Sequence, residues 1–217
     1  MLTPLPPQKV ALTVTQNKLQ LIKLICAFLR GQRNLLPHNG RLLVVTGPEP
    51  TPKEICDGDM REQSDLRTTH EEAYMIIIQQ VLHLANSGKL SICVVADDTD
   101  VFVMLLYYYK VRQVTCNLVM IGTSSGRKCV DIKGTVEKHG DIIDHILPAH
   151  VLSGCDSISS LWGIGKERVL KVLRWGKKTL NKLGSTPGNM YDAMSQSTAF
   201  IASCYGFPKE ADVTSLH

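Results

Sequence analysis

Seven residues, Leu90 to Ala96 (LSICVVA), constrain this chain more than any other stretch. The run is too short for an ordinary helix and rich in strand formers. It follows Gly88 and ends at Asp97-Asp98-Thr99-Asp100. A near-continuous apolar run of this length is expected of a strand buried on both faces, the situation of a parallel sheet. Parallel strands need crossover connections, usually helices. The flanking sequence supplies them: a helical pattern closes near Ser87, and an apolar helix is expected after Asp97-Asp98-Thr99-Asp100, to about Lys110. Cys116 to Ile121 and Lys128 to Ile132 read as two further strands around a Gly126 turn, and Thr135 to Leu147 as a helix ended by Pro148. This alternation predicts an α/β fold with a mostly parallel central sheet flanked by helices. After Pro148 only short helices are expected to about Leu183, then a loop to Asn189 and a last helix over 190–204. The implied organisation is an α/β core over 1–148, a helical segment over 149–205 and a tail over 206–217.

Upstream, Lys9 to Thr15 alternates and is β-prone. Asn17 is placed to cap a helix to about Arg30, with Leu19, Leu21, Ile22, Ile25, Cys26 and Leu29 on one side. Gly31 and Pro37-His38-Asn39-Gly40 break it. Arg41 to Thr46 reads as a buried strand and Gly47 to Arg67, rich in Pro, Gly and charge, as a long loop. Thr68-Thr69-His70-Glu71 has capping-box spacing. The helix it opens would turn Ala73, Ile77, Val81 and Leu84 to the core.

Composition narrows the class. The apolar fraction of 44% and charged fraction of 20% are those of an ordinary globular protein. The seven cysteines include no C-x-x-C pair, which predicts reduced, mostly buried thiols in an intracellular setting, nuclear or cytoplasmic. Met1 is not followed by a secretory pattern, and no apolar run approaches the roughly 20 residues of a membrane span. The net charge of +4 is unevenly placed. Residues 1–48 hold six basic and no acidic side chains. A second basic cluster contains Lys166, Arg168, Lys171, Arg174, Lys177, Lys178 and Lys182 against Glu167. Such clusters suit a phosphate backbone, and equally a solvated helix face.

Two motifs could carry chemistry. The first is Asp97-Asp98-Thr99-Asp100, delivered to the carboxyl end of the predicted strand, where open α/β sheets place ligands. Asp98 and Asp100 are two apart, so in extended backbone they point the same way. Carboxylates held that close repel unless a proton or cation lies between them, and Mg²⁺ is the usual hard cation. The same residues also suit helix capping, with Asp98 or Thr99 at the N-cap and Asp100 near the positive helix end. The second motif is Ser153-Gly154-Cys155-Asp156 followed by Gly163-Ile164-Gly165-Lys166. Two glycines around one apolar residue before a helix let backbone approach a phosphate, and Lys166 adds charge at that point. Alone, this is also the pattern of an ordinary tight turn.

Together, the order Glu72-Ala73 on a helix, D-x-D after a strand, and S-G-x-D followed by G-I-G-K resembles the flap-endonuclease-like branch of the PIN-like nucleases. The wording around HEEA, VVADDTDVFVMLL and LSGCDSISSLWGIGK is similar to a group of animal proteins of that branch, some tied to mobile elements. The resemblance covers roughly residues 5–205. It implies a Mg²⁺- or Mn²⁺-dependent site in which acids hold two ions about 4 Å apart around a scissile phosphate. Asp98, Asp100 and Asp156 match the acids around one ion, and Glu72 matches the helix Glu. The helix-hairpin-helix turn implies a grip on flap, nicked or branched duplex DNA through Gly163, Gly165, Lys166 and Lys171. No small-molecule cofactor or membrane partner is implied.

The chain departs from the family pattern in two places. Tyr74 stands where the family has a second helix carboxylate, and a neutral phenol is a poor Mg²⁺ ligand. The family's first-strand Asp has no counterpart before Glu49, which is the pattern expected of a copy that begins downstream of that strand. The resemblance therefore implies one retained metal position and a doubtful second. The expected functions are a nuclease-related domain with an incomplete acidic site, a catalytically inactive nucleic-acid-binding domain, or a mobile-element relic. Tyr74→Asp is expected to raise Mn²⁺ affinity in calorimetry; unchanged affinity would show that position 74 does not belong to the site.

Overall fold

The computed structural model describes residues 7–32, 41–69, 73–123, 126, 128–155, 158–175, 180–184 and 190–207. The chain divides at Ile76/Ile77 into two units.

In the first unit, helices α1 (Gln8–Ala11) and α2 (Thr15–Gly31) precede a meander of β1 (Leu43–Val45), β2 (Lys53–Cys56) and β3 (Asp59–Glu62). Both strand pairs are antiparallel, with Val44 opposite Glu54 and Ile55 opposite Met60. The core is small: Cys26, Val45 and Ile55, with Leu29 and Leu43 packed against it. The strand expected over Lys9 to Thr15 is instead a helical turn. The Pro7 carbonyl accepts from the Val10 and Ala11 amides, at 2.9 and 3.0 Å, and starts that turn. Asn17 is not the cap of α2. Val14 holds that position in extended backbone, and the Asn17 side-chain amide donates back to the Ala11 carbonyl at 2.8 Å. Of the apolar side expected on α2, Cys26 is buried, while Leu19, Leu21, Ile22 and Ile25 are exposed.

The expected loop over Gly47 to Arg67 contains the β2–β3 hairpin and a 3-10 turn at Ser64–Leu66. Asp57 and Gly58 link the strands with φ of 49° and 86°. Two successive left-handed residues form the hairpin turn that matches strand twist, and Asp-Gly is among its preferred sequences. The high polarity of this segment follows from β3, which is exposed along its whole length.

The second unit contains α3 (Ala73–Asn86, entering from the first unit), β4 (Ser91–Val95), α4 (Thr99–Val111), β5 (Asn117–Ile121) and β6 (Cys129–Asp131). It continues with α5 (Ile132–Lys138), α6 (Gly140–Leu152), α7 (Lys166–Trp175) and α8 (Met190–Cys204). The chain is thus α/β. The sheet order is β4-β5-β6. The β4–β5 pair is parallel, Ile92 opposite Leu118 and Val94 opposite Met120, because α4 provides the crossover. The β5–β6 pair is antiparallel, so the sheet is mixed.

β4 is buried on one face only. Ile92 and Val94 are covered, whereas Cys93 and Val95 are exposed, contrary to the two-sided burial that LSICVVA suggests. The covered face meets an α4 whose Val101, Val103, Met104, Leu105, Leu106 and Tyr109 are all buried. On α3, Val81 is buried as expected, but Ile78 rather than Ile77 accompanies it, and Ala73 and Leu84 are exposed. Gly88, at φ 77°, closes that helix region as expected. Three cysteines, Cys26, Cys116 and Cys204, are buried and Cys93 and Cys129 are exposed, so "mostly buried" does not hold for the thiols; all seven are unpaired.

The helix expected to end at Pro148 instead breaks at His139, and Pro148 lies inside α6. A proline removes one intrahelical donor. Here the next turn still closes, with the Ser153 amide on the Ala149 carbonyl at 3.0 Å. The expected boundary at residue 148 therefore falls within α6. Lys110 joins α4 to α6, donating to the Gly140 carbonyl at 2.7 Å and Asp144 Oδ2 at 2.5 Å. Helices α6, α7 and α8 share a core of Ile142, Ala149, Val169, Leu173, Leu180, Phe200 and Cys204. Among the described residues no helix is long and apolar enough to cross a membrane.

Gly58→Val places a β-branched residue at positive φ. It is expected to destabilise the first unit by about 1–3 kcal/mol in urea unfolding followed by circular dichroism; an unchanged midpoint would refute the turn assignment.

Candidate acidic site and hairpin turn

The acids after β4 leave the sheet at its carboxyl end and divide their work. Asp97 ties the ends of two strands together: its Oδ1 accepts from the Thr123 amide at 2.9 Å, and its Oδ2 accepts from the Thr123 hydroxyl. Gly122 makes room for it, since a Cβ there would lie 2.7 Å from Asp97 Oδ1. Asp98 is the N-cap of α4, its Oδ1 accepting from the Asp100 amide at 2.7 Å. The capping role open in the sequence is therefore present. It uses one carboxylate oxygen and is compatible with a second partner on the other.

Asp100 sits in the first turn of α4, where the positive end of the helix favours its charge. Its Oδ1 lies 2.7 Å from His150 Nε2, and both side chains are largely buried, at 14% and 8% exposure. His150 belongs to the last turn of α6, one residue beyond the fully buried Ala149. The contact draws the start of α4 to the end of α6, bringing the D-x-D motif close to the Ser153-Gly154 turn. His150 lies outside both sequence motifs. A histidine inside the apolar run ILPAHVL was the available signal, because buried imidazole needs a polar partner.

The turn after α6 depends on Gly154. Its φ is 101°, and a Cβ there would lie 2.3 Å from the Ser160 Cα. Cys155 and Ile158 then pair in both directions, at 3.0 and 3.1 Å. Asp156, expected as the third metal ligand, lies outside the described residues, as does Glu72. Tyr74 is half-buried in the first turn of α3.

Lys166 opens α7 with its ammonium directed into the fold. Nζ donates to the His150 carbonyl at 3.0 Å, to Ser153 Oγ at 2.8 Å and to the Gly154 carbonyl. Burial pushes its pKa below that of an ordinary lysine, and the neighbouring Cys155 and Asp100 act against that shift. The three donors expected to meet a phosphate are thus engaged in clasping α6. Gly163 has φ 71°, whereas a Cβ at Gly165 would meet open space. The Gly165 carbonyl accepts from the Arg168 and Val169 amides and starts α7. Lys171 is exposed and pairs with Glu167 one turn earlier, at 2.7 Å.

Among the described residues no group of three or more His, Cys, Asp or Glu side chains is placed to hold a metal ion. Asp98 and Asp100 each keep one carboxylate oxygen beyond the hydrogen bonds just described. A hard divalent ion takes six or more oxygen ligands, so two acids alone do not make such a site. No family model matches the chain, and no curated protein or solved structure matches it.

The two glycines separate cleanly by experiment. Gly154→Ala is expected to cost about 2–5 kcal/mol, because the methyl group meets backbone and the φ is unfavourable. Gly165→Ala is expected to stay within about 0.5 kcal/mol of the parent. Equal losses in urea unfolding would contradict the packing described around Ser160.

Proposed function

We propose that this chain is a PIN-like domain related to divalent-metal-dependent DNA nucleases, keeping one metal position and a DNA-binding turn in place of a full two-ion centre. The observation that supports this most directly is the Asp100–His150 contact of 2.7 Å, with Lys166 holding the adjacent end of α6. It gathers the acids after β4 and the turn before α7 at the carboxyl end of a parallel strand. That is where α/β sheets carry their ligands. Asp98, Asp100 and Asp156 would hold the ion. A divalent ion, when bound, supplies Lewis-acid charge for phosphodiester hydrolysis. The Gly163–Gly165 backbone and exposed Lys171 would meet DNA phosphates. The Lys171–Glu167 pair is solvent-screened and releases the ammonium at little cost.

One observation favours a second reading, a catalytically inactive nucleic-acid-binding domain. Asp98 and Asp100 each commit one oxygen within the protein, to the α4 cap and to His150. The two readings part in one experiment. Purified chain is incubated with labelled flap and nicked-duplex DNA in Mg²⁺ or Mn²⁺, beside Asp98→Ala. Both readings expect binding that weakens steeply with salt. Cleavage lost in Asp98→Ala establishes the nuclease; binding without cleavage establishes the inactive form. The absence of DNA binding at low salt would overturn both.

A further inference from the structure

Trp162 is the most exposed large apolar side chain among the described residues, with 91% of its surface open. The backbone beneath it is anchored on several sides. The Leu161 amide donates to the Ser153 carbonyl at 3.4 Å, and the Ile164 amide to the Leu161 carbonyl at 3.2 Å. Ile164 packs against the α6–α7–α8 core. Tyr205 Oη donates to the Trp162 carbonyl itself at 3.1 Å. An indole is normally among the most heavily buried side chains. A well-held turn that presents one to solvent forgoes that burial at a fixed place.

The surroundings indicate what it meets. Tyr205 is 44% exposed and Phe207, two residues on, 57%. Arg168 runs against the same backbone, Nε donating to the Cys204 carbonyl at 3.0 Å and Nη2 lying 3.6 Å from where a Cβ on Gly206 would be. By sequence, residues 157–184 carry seven basic side chains and one acid, of which Lys166 is engaged on α6 and Lys177 and Lys178 lie outside the described residues. Aromatic groups beside arginine suit both protein interfaces and nucleic-acid strands. The positive excess selects a polyanion, and it sets a second copy of the same surface against like charge. Bases inside a closed duplex hide their faces in the stack; only an unpaired base offers a face to a protruding ring.

We propose that Trp162 is a stacking platform for an unpaired base, so that the turn grips a single-stranded or frayed part of its nucleic-acid partner. This rests on the DNA-binding reading above and adds the kind of strand.

The chain has two tryptophans, so in Trp175→Phe the emission reports Trp162 alone. Titration of that protein with a short oligo(dT) strand is expected to quench the emission saturably. Trp162→Leu is expected to weaken oligo(dT) binding by about ten- to a hundredfold, Trp162→Phe to keep most of it, and binding of a blunt duplex of equal length to change little. Because the side chain is exposed, Trp162→Leu should melt with the parent, which separates lost stacking from lost fold. If both DNAs bind and Trp162→Leu alters neither, stacking is wrong while DNA binding stands. If neither DNA binds at low salt, both proposals fall. Self-association abolished by Trp162→Leu, without quenching by oligo(dT), would assign the surface to protein and overturn the proposal.

Discussion

The second unit depends on the clasp that Lys166 makes on the end of α6. A helix C-terminus leaves carbonyls without intrahelical donors, and partial negative charge gathers there. Lys166, arriving from the start of the next helix, donates to the carbonyls of His150 and Gly154 and to Ser153 Oγ. Desolvation opposes keeping an ammonium in such a place, and the acceptors offset it. The clasp fixes the backbone of His150, whose imidazole holds Asp100, and Asp100 lies one residue past the start of α4. One lysine thus connects the turn before α7 to the acids after β4.

The alternation of elements from Leu90 to Ile132 was legible because each run there is bounded by a polar or glycine stop. β4, α4, β5 and β6 lie within a residue or two of where periodicity puts them. The face of β4 was not legible. LSICVVA has no polar alternation, and burial of one side alone depends on what packs there, which no local pattern encodes. The β2–β3 hairpin was not legible for a different reason: Pro, Gly and charge count as loop signals, and here they describe an exposed strand pair around Asp57-Gly58. The mixed sheet follows from connection lengths. A helix between β4 and β5 permits parallel pairing, whereas the short link at Gly126 requires an antiparallel return.

The place of the candidate site was easier to read than the duties of its side chains. A strand ending in D-D-T-D puts acids at the carboxyl edge under almost any packing. Whether Lys166 faces outward or inward cannot be read from G-I-G-K, because the same residues and the same charge are compatible with both orientations. His150 was hidden for the opposite reason: it looks like a solitary polar interruption of an apolar helix until Asp100 is found beside it, 50 positions away in the chain.

Capping and ligation are not exclusive duties for Asp98. An N-cap carboxylate accepts a backbone hydrogen bond through one oxygen, and that bond fixes the rotamer and so the direction of the other. The hydrogen bond from His150 acts in the same way on Asp100. Both acids are therefore held in place, which would reduce the ordering needed to bind a cation. The same bonds lower the gain, since each carboxylate already has a partner to share its charge. The balance turns on how many further oxygens join them. Two preset carboxylates with one or two more acids make a binding site, and without them they make a well-capped helix with a buried histidine.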